Sequence, residues 1–106
     1  MNRLHESHRR ITAEIAQEKA AALGRAGERL ETALEHVTSL GRRLDATVDP
    51  NEHARLLGEY ERARIRAVHA RLALVIQRET LGLRQHRIVD QQFPEPPRRT
   101  VARRPL

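Results

Sequence analysis

The chain has no cysteine and no tryptophan, and only one tyrosine, one phenylalanine and one methionine among its 106 residues. Without cysteine there can be no disulfide and no thiolate metal site, and the redox compartment is left open. With 39% apolar but only 2% aromatic residues, a single domain of this size has a thin, aliphatic core. No apolar run approaches the ~20 residues needed to cross a bilayer. Lys19 is the sole lysine, and the scarcity of lysine and aromatics also removes the usual features of a membrane-surface helix. The opening MNRLHESHRR lacks the apolar segment of a signal peptide, so cytoplasmic residence is expected.

The net charge of +6 is unevenly spread: residues 1–48 carry +1, residues 49–93 carry +2 and residues 94–106 carry +3. The body is therefore nearly balanced, as in a charge-decorated helical protein, and half of the excess lies in the tail.

From Ser7 to Ala46 there is no proline, and Leu23, Ala26, Leu30, Ala33, Val37, Leu40 and Leu44 recur at alternating intervals of three and four. This is a heptad seam, extended toward the N-terminus by Ile11, Ile15 and Ala22. At DPNE, Asp49 can cap a second helix, Pro50 fits its first position and Glu52 completes a capping box. The pattern predicts helices over 7–46 and 50–92 around a turn at 47–49, each about 60 Å long. Residues 1–6 form an N-terminal extension, and residues 94–106, with four prolines and four arginines, form a flexible tail. The expected fold is all-α, a long antiparallel two-helix hairpin that dimerises into a four-helix bundle.

Helix 2 carries two apolar stripes. The bulkier one, Leu57, Glu61, Ile65, Val68, Leu72, Val75, Ile76, Glu79, Leu83, His86 and Asp90, is assigned to the contact with helix 1 at an index sum near 98. That register faces Lys19 with Glu79 as an internal polar pair and leaves His86 as an internal polar residue near Thr12 and His8. The opposite stripe, Leu56, Ala63, Ala67, Leu74, Leu81 and Ile88, is then the oligomer or partner face, with a second copy as first choice and an unknown protein as second. Glycines 24, 27, 41, 58 and 82 within helical segments suggest places of close approach.

EKAAALGRAGERLETAL, residues 18–34, and VIQRETLGLRQHRIVD, residues 75–90, resemble an uncharacterised family of short bacterial helical proteins, a domain of unknown function with EKAxALGRxG and QRExxGLRxH segments. The resemblance spans most of residues 14–97 and rests on Gly24, Gly27, Gln77, Arg78, Glu79, Gly82, Leu83, Arg84 and His86. It implies a bacterial helical protein. It supplies no activity, ligand or catalytic residue.

Three chemical readings compete with a scaffold. Glu79, His86 and Asp90 share a helix face and could hold a metal, but no Glu-x-x-His motif accompanies them and Lys19 would repel a cation. Ser7 and Ser39 lack a nucleophile-elbow context and no glycine-rich loop is present, so no catalytic residue and no cofactor are assigned. Arg64, Arg71 and Arg78, at intervals of seven, together with Arg98, Arg99, Arg103 and Arg104, could meet nucleic-acid phosphates without sequence preference, although aromatics for base stacking are almost absent. The sequence is therefore read as a non-enzymatic interaction or scaffold protein, with nucleic-acid binding as the alternative and metal binding as a more distant one.

Overall fold

The computed structural model describes residues 2–100. They form α1 (Arg3–Ala46), α2 (Pro50–Thr80) and a short α3 (Arg87–Gln92) in an elongated molecule of 81 × 22 × 16 Å. Two long antiparallel helices make an extended hairpin. No strand occurs among the described residues.

Local chemistry sets the ends of these helices. Asn2 caps α1 by accepting from the Leu4 amide at 3.1 Å, so the helix starts ahead of the expected Ser7 and takes in most of the supposed extension. Asp49 accepts from the Glu52 amide at 3.0 Å and Pro50 occupies the first turn of α2. The Glu52 carboxylate turns to Arg55.

Helix 2 does not reach residue 92. Gly82 has φ +83°, the Gly82 amide donates to the Glu79 carbonyl at 2.9 Å and the Leu83 amide to the Arg78 carbonyl at 3.0 Å. This paired closure, with glycine in the left-handed region, is a Schellman stop. Residues 81–86 reverse the chain, α3 lies back over the hairpin, and residues 93–100 continue as a strap toward the turn between α1 and α2. The assignment of 94–106 as a flexible tail is thus corrected for residues 94–100, several of which make specific contacts.

The seam of α1 is as expected: Ala26, Leu30, Val37, Leu40 and Leu44 are buried. The face of α2 that meets it is the opposite of the expected one. Leu56, Tyr60, Ala63, Ala67 and Leu74 are buried, whereas Ile65, Val68, Leu72 and Ile76 remain exposed. Alanines at 63, 67 and 70 let the α1 leucines come close to the α2 backbone, and Tyr60 fills the wider end near the turn. Val89 and Phe93, brought back by the reversal, close the other end over Ala26, Leu30 and Leu74.

Because α2 stops at Thr80, α1 outruns it. Residues 7–21 are exposed throughout, leaving Ile11 and Ile15 as an uncovered continuation of the core seam.

Candidate functional site

The reversal rearranges every polar residue singled out from the sequence. His86 sits just ahead of α3 with its side chain 17% exposed. Its Nδ1 accepts from Arg78 Nε at 3.2 Å, and its Nε2 lies 3.2 Å from Glu79 Oε1. A lone pair at Nδ1 leaves Nε2 to carry the proton toward Glu79. Arg78 also donates to the Gln85 carbonyl at 2.9 Å. These contacts tie the end of α2 to the start of α3 across the Gly82 turn.

Glu79 is therefore engaged by His86, and Lys19 makes no ion pair among the described residues. The expected Lys19–Glu79 pair is corrected, since it required a straight α2 turned by half a revolution. Thr12 bonds the His8 carbonyl one turn back and not His86. Asp90 pairs with Arg71 at 2.5 Å. With Glu79 and Asp90 drawn to different partners, the metal arrangement is dispersed; no group of three potential ligands occurs among the described residues.

The arginines at intervals of seven secure the returning chain. Arg64 is buried, donates to Glu61 at 2.6 Å and lies 3.6 Å from Glu95 of the strap. Hydrogen bonding to Arg64 lowers the Glu61 pKa and raises that of Arg64. Arg71 meets Asp90 in α3, and Arg78 meets Gln85 and His86 in the turn. All three thus make intramolecular contacts that hold the returning chain.

The strap ends in a latch. Tyr60 Oη donates to the Pro97 carbonyl at 2.7 Å, Arg99 pairs with Asp45 at 2.6 Å, and the Arg99 guanidinium lies 5.3 Å from the Tyr60 ring centroid. The hydrogen bond from Arg99 holds the Asp45 carboxyl below its ordinary pKa, and Arg99 is raised in turn. Gly41 leaves room for this guanidinium, because a Cβ there would come within 3.2 Å of it. Gly24 and Gly27 face open space instead, so their expected role in close approach does not hold. Arg98 is exposed and makes no ion pair among the described residues. Arg103 and Arg104 lie outside the described residues.

The expected partner face is likewise redistributed. Leu56, Ala63, Ala67 and Leu74 form the hairpin core, Leu81 is half-buried at the turn, and Ile88 alone of the six is exposed. An outward face cannot be built from residues that the chain needs to bury against α1.

Two grooves flank the hairpin. One, of about 750 Å³, lies between α1 and the strap and includes Glu31, Glu35, Asp45 and Glu95. The other, of about 600 Å³, is lined by α1 and α2 alone and includes Arg25, Arg29, His36 and Arg66. Sequence reasoning missed both this arginine groove and the Tyr60 latch. The signals were a lone tyrosine in phase with Leu56, Ala63 and Ala67, and Arg25 and Arg29 spaced by four on α1.

No helix among the described residues is long and apolar enough to cross a membrane. No family model, curated protein or solved structure matches the chain.

Proposed function

We propose that the chain is a small non-enzymatic interaction protein of the cytoplasm that works through helical surfaces, with a second copy of itself as first partner. The observation that carries this reading is the pair of uncovered apolar stripes: Leu4, Ile11 and Ile15 where α1 outruns α2, and Ile65, Val68, Leu72 and Ile76 on the outer face of α2. Both follow the intervals of three, four and seven that interlocking helices use. Each stripe spans about 17 Å of helix axis, at 1.5 Å per residue. Reciprocal packing, in which the α1 overhang of one chain covers α2 of the other, gives the same contact twice and closes a twofold dimer. The hairpin supplies one contact layer, and the second stripe on α2 asks for another. The resemblance to a bacterial domain of unknown function fits a helical protein and adds no chemistry.

The test is light scattering after size exclusion. The wild type is expected at twice the chain mass, and Ile15→Glu with Leu72→Glu at the chain mass with helicity retained. A wild type at the chain mass at high concentration would overturn the reading. Nucleic-acid binding through Arg64, Arg71 and Arg78 loses its support, because those side chains clamp the returning segment.

A further inference from the structure

We propose that the groove between α1 and α2 on the strap-free side is an anion site for a ligand presenting two or more phosphate groups. The site is distinct from the dimer surfaces and from the arginines that hold the strap.

The convergence of three arginines from two helices sets this groove apart. Arg55, Arg64, Arg71 and Arg99 have carboxylate partners, and Arg25, Arg29 and Arg66 are among the arginines that have none within salt-bridge distance among the described residues. All three line one groove of about 600 Å³, reached from both helices. Arg25 and Arg29 stand one turn apart on α1, about 6 Å along the axis, and Arg66 faces them from α2.

The floor is made by Ala33 and Ala63, which are too short to fill the space between the guanidinium groups. Glu28 is the single acidic side chain in the lining, so the groove carries a net positive charge. Concave surfaces lined by one sign of charge concentrate counter-ions. Guanidinium groups make paired hydrogen bonds with phosphate oxygens, and Thr32 and His36 add further polar groups on the same wall. The two alanines and the aliphatic stems of the arginines supply apolar surface, and the guanidinium groups supply the charge that recognises phosphate. A bare phosphate chain and the backbone of a single-stranded nucleic acid share the required chemistry.

The experiment uses the full chain and fluorescence anisotropy of a labelled single-stranded oligonucleotide at about 50 mM salt, with sodium tripolyphosphate as competitor. The variant Arg29→Gln with Arg66→Gln is expected to weaken binding about tenfold or more, while the charge-matched Arg9→Gln with Arg10→Gln changes it less than about threefold. Circular dichroism and light scattering of both variants keep loss of fold or of dimer apart from loss of the site. Displacement by tripolyphosphate supports a site for phosphate chains in general. Oligonucleotide binding that tripolyphosphate does not displace, with the same variant pattern, supports the nucleic-acid backbone as the source. Equal losses in the two double variants, or no binding of either probe by the wild type, would overturn the proposal.

Discussion

Leu72 and Leu74 are two residues apart on α2 and so point about 200° apart at 3.6 residues per turn. Leu74 is 6% exposed, in a cluster with Ala26, Leu30 and Val89; Leu72 is 55% exposed. Truncating Leu74 to alanine removes a buried isobutyl group and leaves a cavity under α3, which costs about 2–5 kcal/mol. The same truncation at Leu72 removes a side chain that has realised only part of the 1.5–3 kcal/mol available from full burial, so its cost within one chain is about 1 kcal/mol or less. Urea unfolding followed by far-ultraviolet circular dichroism, at one dilute and one concentrated protein sample, separates the two. Leu74→Ala lowers the midpoint alike at both concentrations. Leu72→Ala barely moves the dilute midpoint and shrinks the gap between the samples, because it removes part of the stabilisation that association adds. A dilute-sample loss for Leu72→Ala equal to that of Leu74→Ala would refute the assignment of the α2 faces.

The remaining expectations concern the reversal and the strap. Gly82→Ala places a Cβ on a residue at φ +83° and is expected to cost about 1 kcal/mol, with faster hydrogen exchange at the Val89 and Phe93 amides. Tyr60→Phe removes the donor to the Pro97 carbonyl and is expected to cost about 0.5–1.5 kcal/mol in the same urea assay. Asp45 is lowered chiefly by its hydrogen bond from Arg99, so its contribution is complete above the ordinary carboxylate pKa and is lost as pH falls through the depressed value. Since Tyr60 is the only tyrosine and tryptophan is absent, intrinsic fluorescence reports on the latch directly. It is expected to change on acidification in the wild type and to be flattened by Asp45→Asn.

The hairpin and its turn were legible because their signals are local. The α1 heptads, the Asp49 cap and Pro50 each act within a few residues, and the fold they imply is the one observed. The rotation of α2 was not legible from hydrophobicity alone. Two stripes with the same period offered themselves, and ranking by bulk chose Ile65, Val68 and Leu72 over Leu56, Ala63 and Ala67. Close helix approach rewards small residues as much as large ones, and that preference shows only when the opposing leucines are placed. The reversal was hidden for a related reason. Gly82 reads as a tolerable helix glycine until Val89 and Phe93 are seen to gain a core by turning back. Once the chain turns, Arg64, Arg71, Arg78, Glu79 and His86 acquire partners that a straight helix would deny them.

The same reversal explains how one basic chain acquires sides of different character. Turning back places Asp90 and Glu95 opposite Arg71 and Arg64, so the strap flank neutralises its own arginines. It also shortens α2, which bares Ile11 and Ile15 on α1. Nothing in the returning segment reaches the other flank, where Arg25, Arg29 and Arg66 keep their charge. A straight second helix would have covered the overhang, left Arg71 and Arg78 without their present partners and left Arg64 with Glu61 but not Glu95. The six-residue turn after Thr80 thus brings Asp90 and Glu95 to one flank and none of the returning carboxylates to the other, and it does so through backbone geometry at Gly82 and not through any change in composition.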